Sequence, residues 1–178
     1  MSMHVKNFGD YSVKNIKTFM GMEGHGFNAN LYRGKKKVAF CIDDARGGEV
    51  DIDWVEGGWK GEEAMLLEAH LKTLPPVVSK FGSKKMKLTI SAGWFVNDCV
   101  TRVEMEKDVK KMRKQCQTKT LFRTKDQGFG RYSIFDTPLN DKIREHIFSK
   151  YGNDTEIFND VFASGGVPSV LQPDKDGD

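Results

Sequence analysis

No stretch of this sequence approaches the roughly 20 consecutive apolar residues that a membrane-spanning helix requires, so insertion by helices is not expected. The first residues, Met1-Ser2-Met3-His4-Val5-Lys6, lack the apolar core of a signal peptide, which argues against export. Cysteine is scarce and odd in number. Cys41, Cys99 and Cys116 are widely spaced within apolar patterns and read as buried thiols of a reducing compartment, without a disulfide framework. The four histidines, His4, His25, His70 and His146, have no Cys or His neighbours at zinc-ligand spacing, and no C-x-x-C occurs. His25, between Gly24 and Gly26, has no identifiable partner for acid–base work. The sequence also lacks a Gly-Lys-Ser/Thr phosphate loop, a nucleophile elbow and an ordered triad. Gly21, Gly24 and Gly26 lead into a strand, so no helix dipole stands behind them to hold a phosphate. Nothing argues for an enzyme, and no motif calls for a cofactor or a metal.

What is present is a chain of 178 residues, 38% hydrophobic and 30% charged, long enough to bury a core without staples. The formal charge of +3 conceals an asymmetry. After residue 153 six acids face one lysine, leaving −5 there and +8 in residues 1–152. Residues 43–63 are acidic, whereas residues 33–37 and 106–123 are basic, a polarity that bears on partners rather than on fold.

Residues 1–14 show no period and are expected to form a loose lead-in to one domain over 15–161, with 162–178 as an acidic mobile tail. Within the domain, residues 16–20, 27–32, 38–42 and 50–54 read as strands, 27–32 and 50–54 alternating as half-buried strands do, with Arg33-Gly34-Lys35 as a hairpin turn. Helical spacing begins near Gly61 and stops before Pro75-Pro76. Residues 84–90 read as a basic strand or extended linker. Ser91 is the expected N-cap of a long helix over 92–115, whose buried side carries Phe95, Val96, Cys99, Val100, Val103, Val109 and Met112. A second hairpin follows over 118–124 and 131–135, then a helix opened by Thr137-Pro138 and stopped by Gly152. The fold class is α+β: an antiparallel N-terminal β-meander packed with helices, then a C-terminal β-hairpin and helix.

Two stretches invite a functional reading. Asp43, Asp44, Asp51 and Asp53 around Gly47-Gly48 miss the ligand spacing of an EF-hand and read as an Asp-rich turn followed by a solvated strand face. The second is basic. Lys107, Lys110, Lys111, Arg113, Lys114, Lys119 and Arg123 run off the long helix into a strand bearing Leu121 and Phe122. Cations that track phosphates beside rings that stack on bases hold single-stranded nucleic acid. The competing reading is a solvated helix face whose lysines keep the chain in solution. Cys116, flanked by Arg113, Lys114 and Lys119, would have a lowered thiol pKa only if exposed.

The residues Gly24-x-Gly26-Phe27-Asn28-Ala29-Asn30-Leu31-Tyr32, Val38-Ala39 and Ile42-Asp43-Asp44 with Gly47-Gly48 resemble those of a group of small uncharacterised proteins of tailed phages and prophages. Cys116-x-x-Lys119-Thr120-Leu121-Phe122-Arg123, Tyr132, Thr137-Pro138 and Lys150-Tyr151-Gly152 resemble the same group, which attaches no catalytic residues to them. The resemblance implies phage accessory work in the host cytoplasm. The leading expectation is non-enzymatic binding of nucleic acid, single-stranded in the main, through the basic helix end and adjoining strands. The alternative is a protein-binding inhibitor or adaptor of a host defence or regulatory complex.

Overall fold

Alternation of apolar and polar side chains builds the first sheet. In the computed structural model, which describes residues 5–81, 84–128 and 130–171 (backbone alone at 79–81, 84 and 85), it has four antiparallel strands in the order β1-β2-β3-β4. These are β1 (Tyr11–Gly21), β2 (Gly24–Arg33), β3 (Lys36–Asp43) and β4 (Asp51–Trp54). Phe27, Ala29 and Leu31, then Ala39 and Cys41, then Ile52 and Trp54, point to one face and are buried. The β2–β3 turn pairs Arg33 with Lys36 across two residues, and Gly34 supplies the positive φ (59°) that such a tight turn needs. Between Lys14 and Lys17 the register of β1 shifts at a bulge, where Asn15 sits at φ 56°.

Helix α1 (Glu62–Lys72) and the first half of α2 (Ala92–Gln115) supply the rest of this core through Ala64, Leu67, Phe95, Val96, Cys99 and Val100. Ser91 caps α2 as expected, its Oγ accepting the Trp94 N–H at 3.2 Å. The lead-in expected over 1–14 is corrected from Val5 onward. Val5, Phe8, Tyr11 and Val13 are buried, Phe8 and Tyr11 hold their rings 5.7 and 5.6 Å from that of Phe95, and the Val5 N–H is donated to Asp98 Oδ2 at 2.7 Å. These contacts are made across the fold rather than along the chain, so they leave no local period. The basic stretch expected as a strand or linker is a strand, β6 (Lys84–Leu88), paired antiparallel with β5 (Val77–Phe81).

The chain divides into two compact units within α2, one up to Val103 and one from Glu104, where a single domain over 15–161 is expected. The reason is that α2 serves two cores. Its first half buries Phe95 and Val96, while Val109, Met112 and Cys116 pack in the second unit with Leu121, Phe158, Val170 and Leu171. In that unit a three-stranded sheet, ordered β8-β7-β9, is formed by β7 (Thr120–Arg123), β8 (Ser133–Phe135) and β9 (Glu156–Ile157). Leu121 joins the cluster with Met112, and its neighbour Phe122 joins a separate cluster with Ile147 and Ile157. Both faces of β7 are therefore covered, the second by α3 (Asp141–Tyr151). The cap of α3 is Asn140, whose Oδ1 accepts the Ile143 N–H at 3.0 Å. Thr137-Pro138 stands before the helix, and the Thr137 carbonyl accepts the Thr120 hydroxyl at 2.8 Å. The tail expected from residue 162 is corrected as far as Leu171: α4 (Phe158–Ala163) and the short 3-10 turn Ser169–Leu171 bury Phe158, Val170 and Leu171. His4, Phe129 and the acids Asp174, Asp176 and Asp178 lie outside the described residues.

Candidate nucleic-acid interface

Helical geometry sorts the basic residues read from the sequence. Lys107, Lys110, Lys111 and Lys114 stand at i, i+3, i+4 and i+7, which places them on one face of α2. All four are exposed, and Met112 lies buried on the other side with Val109 and Cys116 half-buried beside it. None of the four lysines makes an ion pair among the described residues, although Glu106 and Asp108 belong to the same helix. Lys107 and Lys111, like Lys110 and Lys114, are like charges four residues apart, each pair costing the helix about 0.2–0.5 kcal/mol.

The remaining three are otherwise engaged. Arg113 lies off the stripe, its guanidinium 5.3 Å from the centre of the Phe162 ring. Lys119 is paired with Asp136. Arg123 donates to Ser169 Oγ and to the Gln127 carbonyl, both at 3.2 Å. Phe122 is 1% exposed and Leu121 fully buried, so neither offers a face to a base. The strand aromatic read as a stacking platform is a core residue, because β7 is covered on both sides. The sequence showed the basic stretch but neither which of its seven residues share a face nor that coverage. It also missed Asn159, which fixes the C-terminal end of α2: its Nδ2 donates to the carbonyls of Cys116 (2.9 Å) and Lys119 (2.8 Å), and its Oδ1 accepts the Leu121 N–H (3.0 Å).

The other candidates resolve structurally. Asp43 Oδ1 accepts the Ala45 N–H at 2.9 Å and Asp44 Oδ1 accepts the Arg46 N–H at 3.1 Å, so both carboxylates serve their own turn. Asp51 and Asp53 are exposed on β4, and among the described residues no three His, Cys, Asp or Glu side chains gather as a metal set. Burial pushes the thiol of Cys41 up to about 12 and that of Cys116 up to about 11, and it raises that of Cys99 as well. The cations around Cys116 therefore do not prevail over its desolvation. His25 and His146 are exposed, while His70 is half-buried, with Nε2 3.2 Å from the Asn7 carbonyl oxygen. Comparison of the chain with protein-family models, curated proteins and solved structures returns no match in any of the three.

Proposed function

We propose that this protein binds nucleic acid without sequence preference, its α2 lysine stripe meeting the phosphate backbone. The observation that carries the reading is the stripe itself: four exposed lysines on one helix face, without ion pairs among the described residues, spaced so that they repel one another until an anion neutralises them. Seven residues of helix rise over about 10 Å, a span suited to successive phosphates. With Phe122 buried, the reading narrows from stacking on single strands to backbone contact indifferent to strandedness. Within this proposal the protein does accessory work for a phage in a host cytoplasm.

The test is a salt titration of binding to single- and double-stranded oligonucleotides of equal length. Four phosphate contacts predict a slope of log K against log salt of about −3.6 on duplex and about −2.8 on single strands. Each Lys→Ala change along the stripe should make the slope shallower by about 1. No binding at about 50 mM salt, or a slope unmoved by Lys110→Ala and Lys111→Ala together, would refute the reading.

A further inference from the structure

Within the first unit, a cleft of about 730 Å³ opens along β4. That volume lies within the usual range of ligand sites, roughly 300–1,000 Å³. Ile52 points to the core face of the strand and Asp51 and Asp53 to the other, yet all three line the cleft. Side chains from opposite faces share a wall only where a cleft follows the strand's edge. β4 is the last strand of its sheet, so that edge has no neighbouring strand among the described residues. The register makes the edge usable. The Val55 N–H is donated to the Val38 carbonyl at 3.0 Å, and bonded positions alternate along an antiparallel pair. Asp53 and Asp51 therefore bond to β3, while Ile52 and Trp54 turn their N–H and C=O groups outward.

The electrostatics select the occupant. Glu49, Asp51, Asp53 and Glu68 line the cleft against Lys72 alone, and none of the four carboxylates is ion-paired among the described residues. Trp59, 57% exposed on the same wall, is braced edge-on by Trp54 at 5.9 Å and presents a ring to a cation. Charges on an edge strand discourage pairing with another copy of the same edge; here they also admit a strand of opposite charge.

We propose that this cleft docks an extended, lysine- or arginine-bearing segment of a partner protein, which adds as a fifth strand to the free edge of β4. Main-chain bonds to Ile52 and Trp54 supply the attachment, and the carboxylates with Trp59 supply the preference for basic side chains. The site is independent of the lysine stripe.

The experiment is fluorescence anisotropy of the full chain with a labelled Lys-Val-Lys-Val-Lys-Val peptide at about 50 mM salt, where surface charges are only partly screened. Its Glu-Val counterpart and two N-methylated forms complete the set, one methylated at the amide of every odd residue, which blocks one edge of the strand, and the other at every even residue, which blocks the opposite edge. Binding of the basic peptide and not the acidic one is expected, with a loss of about tenfold or more on Asp51→Lys with Asp53→Lys. Methylation of one amide set should cost about tenfold and of the other little, since only one set meets the strand. Asp51→Asn with Asp53→Asn, which keeps the shape, should give an intermediate loss, and alanines at the four α2 lysines should change nothing. Absent binding, equal loss from both methylated forms, or indifference to the Asp51 and Asp53 changes at an unaltered melting temperature would overturn the proposal.

Discussion

Single charged residues in this protein divide into those held by the fold and those left to solvent. Glu63 belongs to the first kind. It is buried within α1 and receives the Arg33 guanidinium in a two-point bond, Nε at 2.7 Å and Nη2 at 2.9 Å, with Lys36 at 3.2 Å. The Arg33 hydrogen bond first, and Lys36 after it, hold the Glu63 carboxyl below its ordinary range against the opposing effect of desolvation. A depressed carboxylate stabilises the fold above its unfolded pKa, and that contribution disappears as pH falls through the folded value. Glu63→Gln should therefore lower Tm by roughly 5 °C at neutral pH, and the gap from the wild type should close as pH falls well below 4.5, the ordinary glutamate value. Melting curves across that range check it; a gap independent of pH would assign the loss to packing. Glu63 was invisible in the sequence as anything but one of two adjacent helix acids, because its partner is 30 residues away. The basic stretch was legible because it is local in the sequence. The engagement of Arg123 and Lys119 was not, because their partners come from residues 127, 169 and 136.

Elements were legible where a period carried them. The extent of α2, its Ser91 cap and its buried residues follow from 3.6-residue spacing, β2 follows from alternation, and β3 from an apolar run returning after Arg33-Gly34-Lys35. The two-residue β9 and the six-residue α4 are too short to show a period; β9 is held by its pairing with β7 and α4 by the buried Phe158 and by Asn159. That side chain gives the end of α2 a defined exit into β7. Asn159→Asp preserves size but sets a carboxylate against the carbonyls of Cys116 and Lys119. It should destabilise the second unit by about 2 kcal/mol, at least as much as Asn159→Ala, because it leaves polar groups unpaired and adds repulsion. Hydrogen exchange of residues 109–123 reads this directly. A stability for the aspartate variant equal to the wild type would show that the two hydrogen bonds donated by Nδ2 contribute nothing.

At the scale of the whole chain, the end of the sequence is where composition misled. Residues 162–178, with Gly165-Gly166 and Pro168 among them, read as a tail, yet Val170 and Leu171 reach the cluster around Met112 and Phe158. Truncation after Ala163 removes both, and at about 1.5–3 kcal/mol for each buried aliphatic side chain it should lower stability by several kcal/mol, as measured by denaturant titration. Truncation after Leu171 should leave that packing untouched. A chain cut after Ala163 that melts like the full protein would restore the tail reading. The beginning of the sequence was misjudged for the same reason, and the bond from the Val5 N–H to Asp98 carries a consequence for biosynthesis. The two residues are 93 apart, and ribosomes add about 5–20 residues per second. The first strand thus waits between about 5 and 19 seconds for the residue that anchors its leading segment. Throughout that interval Val5 and Phe8 are without their aromatic and carboxylate counterparts, so the leading apolar segment stays unburied until α2 emerges.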